Sequence, residues 1–472
     1  MRDTPLPQSF DTTEPRGPDV DSKIMSINKH NRPIQTFPGT CGKATQPTRR
    51  DFLEAACSLT TAHSFFSVGA AFARKEETKE LRSASLTKLD TALRDATRAQ
   101  WLPGVVAMAA TNSGIIYEGA FGSRHLGQGP AMSHDTVFRI ASMIKVVTSV
   151  AAMQLVEEGK IALDAPAPAI DPALASPQVL TGFDAAGAPQ LRLARQPITL
   201  RHLLTHTAGF TYRLWDADAL RYARAIDGLP TRERALLPRS PLMFDPGTRW
   251  QYGSNIDWVG RIIEAVSGER LDVYFRKHIL GPLGMTDTGF VVSPSQRARQ
   301  ATTHRRKPDG SLQPEPFEKQ TTPSAFSGGG SLYSTALDYV TLIRMLLQGG
   351  QFDGARILRG ETVALMGQNQ IGHIEAGILK STNPTLSNDV DFFPCIPLRW
   401  GLGHMINMEP GPNGRSPGSL TWAGLLNTYY WIDPTKRVAA VFMTQILPFA
   451  DRPVLSLYHQ FERSIYDAVN AS

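Results

Sequence analysis

Apolar residues recur at helical spacing at Leu86, Leu89, Leu93 and Ala96, which predicts a helix from Ser85 to Ala99. An apolar stretch from Val105 to Ala110 follows. Asn112-Ser113-Gly114 then supplies a turn, and a second stretch runs from Ile115 to Gly122, so the pair reads as a hairpin. Phe138-Arg139-Ile140 leads into a helix from about Ser142 to Glu158, with Gly159 where a C-cap belongs. Residues 165–198 are rich in Pro, Ala and Gly and predict little regular structure. Leu203 to Phe210 reads as a helix end running into a turn. Ile256, Val259, Ile262, Ile263 and Val266 mark another helix, ended by Gly268. Ala336 to Leu347 is a further helix, closed by Gly349-Gly350. Asn427–Ile432 and Val438–Thr444 read as strands around the turn Asp433-Pro434-Thr435-Lys436. Leu455, Tyr458, Phe461, Ile465 and Val469 line a last amphipathic helix.

This order predicts an α+β fold. One antiparallel sheet forms from N- and C-terminal strands and is flanked by helices. A mostly helical domain is inserted roughly within residues 146–325, and the active site is expected where the two regions meet.

The start of the chain has a different character. Residues 1–47 are polar, rich in Pro and Thr, and expected to be disordered. Thr48-Arg49-Arg50-Asp51-Phe52-Leu53 looks like a twin-arginine export signal. A weakly apolar run, Ala55 to Ala73, ends in Ala71-Phe72-Ala73, which suits a signal peptidase. The run is too short and polar for a stable membrane span. We therefore expect residues 1–73 to be a leader and residues 74–472 the catalytic domain, in a periplasmic or secreted protein. The alternatives are an amphipathic helix over 50–73, a start at Met25, and a cytoplasmic protein if the leader does not function.

Composition changes this picture little. The 472 residues are 42% hydrophobic and 19% charged, ordinary for a globular protein. The net charge of +6 is scattered without a basic helix, which argues against nucleic-acid binding. Cys41, Cys57 and Cys395 show no metal-ligand spacing, so no zinc site is expected. A chain beginning at Arg74 would keep only Cys395. Oligomeric state leaves no signal.

The chemistry centres on Ser142-Met143-Ile144-Lys145. A serine hydroxyl is a poor nucleophile until its proton is removed. Residues three apart on a helix share a face, so Lys145 can lie beside Ser142. The lysine is flanked by Ile144, Val146 and Val147, which does not suit a solvated surface charge. Trp250-Gln251-Tyr252-Gly253-Ser254-Asn255 offers a second element, because a phenol beside an ammonium can relay protons. Three other segments invite rejection. Gly414-Arg415-Ser416-Pro417-Gly418 matches GxSxG but lacks the strand before and helix after that an elbow needs, so a surface loop is expected. His206 has no elbow serine to serve and reads as a helix-end residue steadying the Thr205–Gly209 turn. Phe326-Ser327-Gly328-Gly329-Gly330 has no phosphate-binding context and reads as a close-approach backbone loop.

Ser142-Met143-Ile144-Lys145, Tyr252-Gly253-Ser254 and Trp422-Ala423-Gly424 stand in the order of the three motifs of class C β-lactamases. Two further segments match: Leu203-Leu204-Thr205-His206-Thr207-Ala208-Gly209 and Pro282-Leu283-Gly284-Met285-Thr286-Asp287-Thr288. The chain resembles the esterase branch of that superfamily, the family VIII carboxylesterases, over roughly residues 85–470. The resemblance implies Ser142 as the acylated nucleophile, Lys145 as its hydrogen-bonded partner, and Tyr252 as general base. It implies an oxyanion hole from the backbone N–H groups of Ser142 and Leu425, and no metal or organic cofactor. Ser254, Asn255, Trp422, Ala423 and Gly424 would contact substrate.

Two departures from the lactamase pattern matter. Trp422 replaces the lysine that helps hold a β-lactam carboxylate, and Ser254 replaces an asparagine, with Asn255 one position later. Both favour a neutral substrate. The leading expectation is a hydrolase of small neutral carboxylic esters. Other chemistry at the same site is the alternative: β-lactamase, D-aminopeptidase, or acyl transfer to an alcohol. Trp422 argues against the first two, and nothing in the sequence argues against the third. A non-catalytic envelope binding protein is the remaining alternative, and the intact Ser142, Lys145 and Tyr252 speak against it.

Overall fold

The computed structural model describes residues 84–229, 231–234, 237–317 and 325–471. A helix over 84–98 (α1) leads into strands β1 (Gly104–Thr111), β2 (Gly114–His125) and β3 (Gln128–Ala131). Helix α2 (Ile144–Glu157) carries the lysine of the first motif, and α3 (Asn255–Ser267) follows the second. After α4 (Ala336–Leu347) come β4 (Leu398–Trp400), β5 (Met405–Asn407), β6 (Leu420–Gly424), β7 (Thr428–Asp433) and β8 (Val438–Met443). The long helix α5 (Arg452–Asn470) ends the described chain.

These eight strands form one antiparallel sheet in the order β4-β5-β6-β7-β8-β1-β2-β3. The N- and C-terminal parts meet where β1 pairs β8, from Val106 opposite Met443 to Thr111 opposite Val438. The central strands β7 and β8 are buried along their whole length. A strand covered on both faces needs no polar alternation, which explains the unbroken Val-Ala-Ala-Val-Phe-Met of β8. On one face Tyr339 of α4 meets Tyr430. On the other, Phe461 of α5 packs against Trp431 and Phe442. The side-chain period of two then settles where β6 points. Trp422 lies opposite Tyr430 and shares its face, while Ala423 lies opposite Tyr429, which stacks on Tyr458 of α5.

Several elements differ from expectation. Residues 165–198 contain a hairpin, Gln178–Phe183 with Pro189–Leu193. Its signal was turn chemistry: Asp184 accepts from the Ala186 and Ala188 N–H groups, and Gly187 takes φ of 83°. β2 runs on to His125 because β3 folds back on it. Ser142 lies in a 3-10 turn, Ala141–Met143, and the α-helix begins only at Ile144. Gly414–Gly418 is no surface loop: Arg415 and Ser416 are 1% and 7% exposed. The twin-arginine and cleavage segments lie outside the described residues. Among the described residues, no helix is long and apolar enough to cross a membrane.

Candidate active site

The turn that presents Ser142 is held from several sides. Ala141 takes φ of 44°, a conformation that costs a non-glycine residue about 1–2 kcal/mol. The Gln445 side chain accepts from Arg139 N–H at 3.2 Å and donates to Arg139 O at 3.1 Å. Tyr339 Oη donates to Met143 O at 3.0 Å. β6 also presses on the turn. A Cβ added at Gly424 would lie 2.2 Å from Ile140 O and 2.3 Å from Thr428 Oγ1. Glycine is therefore required at 424 by contact, and the contact brings the strand end beside the nucleophile.

Lys145 is 1% exposed. Its Nζ donates to Ser142 Oγ at 3.2 Å, to Gly329 O at 2.6 Å and to Tyr212 Oη at 3.4 Å. An ammonium has three N–H donors, and here each has an acceptor. The same nitrogen sits 4.9 Å from the centroid of the Tyr252 ring. Trp422 Nε1 donates to Tyr252 Oη at 3.1 Å. The structure thus brings Ser142, Lys145, Tyr252 and Trp422 into one cluster. An aromatic wall continues from it: Trp400 and Phe392 lie 4.7 and 5.5 Å from Trp422, and Trp215 lies 5.4 Å from Tyr252.

Four contributors carried no motif. Tyr212 lies under Lys145 and donates to Asp257 Oδ2 at 3.4 Å. Burial, and then the Asp257 carboxylate and the neighbouring Tyr252, push the Tyr212 phenol well above its usual value, so it stays protonated. Asp257 and Gly329 complete that arrangement. The fourth is Asn427, which takes φ of 60°. Its Nδ2 donates to Ile446 O and Pro448 O, both at 2.8 Å, and its Oδ1 accepts from Tyr429 Oη at 2.7 Å. This fixes the turn after β6 that carries Leu425. Among the described residues, neither Ser142 N–H nor Leu425 N–H has a backbone acceptor. Both are thus available to an oxyanion. The Gly328-Gly329 loop is a close-approach loop: Gly328 O accepts from Thr148 at 2.7 Å.

Two of the expected substrate contacts turn their side chains away from the cluster. Asn255 is fully buried, and its Nδ2 donates to Phe210 O at 2.9 Å and lies 3.1 Å from His206 Nδ1. Its Nδ2 is spent on the loop beneath the tyrosine motif, while its buried Oδ1 has no hydrogen-bond partner among the described residues. Ala423 turns its side chain to the α5 face, so only its backbone is near the site. Ser254 is half-buried and precedes α3 without capping it. His206 is 1% exposed and has no part in a triad. Burial, and then Lys145, hold its imidazole well below the usual histidine value, so it is neutral. Its Nδ1 accepts from Gly253 N–H at 3.4 Å, and its ring lies 4.8 Å from that of Tyr252.

Comparison with known proteins gives matches over most of the described chain. The family model described as Beta-lactamase matches residues 89–461. The monacolin J acid methylbutanoyltransferase of Aspergillus terreus is 34% identical over 402 residues, covering 80% of this chain and 95% of that protein. The lovastatin esterase of Penicillium rubens is 32% identical over 402 residues, covering 81% and 99%. The solved structure of unliganded simvastatin synthase (LovD) from Aspergillus terreus matches with a TM-score of 0.70 at 32% identity, covering 81% of this chain and 98% of that one.

Proposed function

The chain belongs to the beta-lactamase family, and from that membership we propose that it transfers an acyl group through Ser142 to the hydroxyl of a neutral, largely apolar small molecule. Ser142 Oγ attacks the carbonyl of the donor ester as its proton passes to the Tyr252 oxygen. The oxyanion rests between the Ser142 and Leu425 N–H groups. Tyr252 returns the proton to the departing alcohol, leaving an acyl-enzyme. The acceptor hydroxyl then gives its proton to Tyr252 and takes the acyl group, and Tyr252 passes that proton to the departing Ser142 Oγ, which restores the serine.

The observation that carries this proposal is Trp422 donating to Tyr252 at 3.1 Å. An indole there supports the base and offers apolar area, and it gives no cation to an anionic substrate. The transferase over the hydrolase is favoured by relatives such as the methylbutanoyltransferase at 34% identity. Hydrolysis of small neutral esters, with water as acceptor, is the second reading. The lovastatin esterase at 32% identity supports it.

The test is p-nitrophenyl butyrate turnover with and without benzyl alcohol, in the wild-type chain and Ser142→Ala. Benzyl butyrate formation that needs Ser142 supports transfer. Butyrate alone moves the assignment to hydrolysis. Turnover that survives Ser142→Ala sinks the nucleophile.

A further inference from the structure

Asp257 lies in the first turn of α3 and touches two segments distant in sequence. Its Oδ2 accepts from Tyr212 Oη at 3.4 Å. Its Oδ1 accepts from Ser327 Oγ through a short bond and from Gly329 N–H at 3.2 Å. A Cβ at Gly329 would lie 2.7 Å from the carboxylate, so only glycine permits this approach. Both segments then turn an oxygen toward the same nitrogen: Lys145 Nζ donates to Gly329 O and to Tyr212 Oη. Two of the three acceptors of Lys145 are therefore set by one carboxylate, and the third is the nucleophile.

We propose that Asp257 is a positioning residue. It fixes Tyr212 and the Gly329 carbonyl so that Lys145 is held as a proton-carrying partner against Ser142. This rests on the acyl-enzyme reading above. The Tyr212 oxygen has one proton, which is committed to Asp257, so its lone pairs face Lys145. A Tyr212 hydroxyl turned the other way would put its proton against the ammonium and expel it. The two tyrosines thus have opposite assignments. Tyr212 is a donor locked to a carboxylate, while Tyr252 receives the Trp422 N–H and is left to handle the moving proton. Neighbouring groups whose surroundings differ in this way divide the acid and base roles of a site.

The groups facing Asp257 are few. Tyr212 comes from the segment before residue 215, with Lys145 of α2 beyond it. Tyr252 lies against Tyr212 at 5.3 Å between ring centroids. Ser327 and Gly329 bring no charge. On its own helix, Arg261 is turned to Asp171 at 2.8 Å. A bland role is also open to Asp257, since an acidic residue in a first helical turn steadies the helix dipole. That role makes no demand on Tyr212 or Lys145, so the Tyr212 variant and the double variant separate the two.

The experiment uses Asp257→Asn in the full chain. The amide oxygen can still accept from Ser327 and Gly329, but the amide nitrogen cannot accept the Tyr212 proton. The rate of Ser142 acylation by p-nitrophenyl butyrate should fall about 10- to 100-fold, with the thermal midpoint kept. The acid limb of kcat/KM should move to lower pH, because a negative charge beside the Lys145–Tyr252 pair is gone. Tyr212→Phe keeps the carboxylate charge but removes the group it orients, so acylation should fall by a similar factor, and the double variant should lose little more than either single one. An unmoved limb in D257N, or losses that multiply in the double variant, would overturn the proposal. If D257N loses its thermal midpoint, Tyr212→Phe carries the test alone, and acylation at the wild-type rate there overturns it. A wild-type chain that never acylates Ser142 sinks the acyl-enzyme reading, whereas acylation unaffected by D257N sinks only the role of Asp257.

Discussion

Trp422 Nε1 donates to the Tyr252 hydroxyl at 3.1 Å, and the two rings lie 4.7 Å apart. The strand register makes this contact, because Trp422 shares the face of Tyr430 and points at the helical region. Trp422→Phe keeps an aromatic ring in the wall and removes only the donor. We expect kcat to fall by roughly 10- to 100-fold with KM nearly unchanged, as befits a lost hydrogen bond to the group that moves the proton. Steady-state kinetics with p-nitrophenyl butyrate check this. A change confined to KM would reduce Trp422 to a binding surface.

The contact of Gly424 with Ile140 makes a second prediction. Gly424→Ala places a methyl 2.2 Å from a backbone carbonyl, so the end of β6 must move away from the nucleophile turn. Leu425 N–H moves with it. Losing one oxyanion donor is typically worth about 100-fold or more in kcat. We expect at least that loss, with a smaller fall in thermal midpoint, because Asn427 still ties the turn to Ile446 and Pro448. Wild-type kcat in a folded variant would show that Leu425 N–H is not an oxyanion donor.

Much of this site was legible because its residues act at fixed short spacings. Ser142 and Lys145 are one helical turn apart, and Ala336–Leu347 carried its own period and glycine stop. The hidden part is tertiary. Tyr212 follows a turn with no pattern of its own, and only folding puts it 3.4 Å from Lys145. Asp257 stands in no motif, and Asn427 read as the start of a strand. Asn255 misled for the opposite reason: its place beside the motif suggested a pocket, but the first turn of α3 points it into the Phe210 loop. The hairpin at 178–193 was missed because its two buried residues, Val179 and Leu180, are adjacent and give no apolar alternation.

The false GxSxG segment supplies a stability prediction. It joins β5 to the start of β6, whereas the other end of β6 meets the nucleophile turn. Arg415 Nε donates to Glu462 Oε1 at 2.6 Å, and Nη2 donates to Tyr458 Oη at 2.9 Å, with both charges buried. Removing one partner leaves a buried charge uncompensated, which costs about 3–5 kcal/mol. Glu462→Ala should lower stability to denaturant by that order. Ser416→Ala should leave ester turnover intact, which chemical denaturation and a p-nitrophenyl butyrate assay check together. Loss of turnover in a folded Ser416→Ala chain would reopen that segment as catalytic.

The buried histidines fix how stability depends on pH. Burial holds His304 and His404 down at about 4, with the Thr302 carbonyl partly opposing this at His304. An unfolded histidine titrates near 6.5. Between these values the unfolded chain binds more protons, so stability is lost as pH falls below about 6.5. From pH 7 to pH 5 each histidine should remove roughly 2 kcal/mol. Asp338 works the other way. Burial raises its carboxyl to about 6, against the hydrogen bonds from Thr288 and Asp287, so the folded chain binds its proton first and gains stability as pH falls through 6. That gain is only roughly 1–1.5 kcal/mol by pH 5, so the histidines win. His206, held neutral by burial and Lys145, adds to the same side. The thermal midpoint should therefore drop by several degrees between pH 7 and pH 5. His404→Gln, neutral throughout, should lose a large part of that drop, roughly 2 kcal/mol of it. A midpoint that holds steady to pH 5 would mean that these imidazoles take up protons without unfolding the core around them.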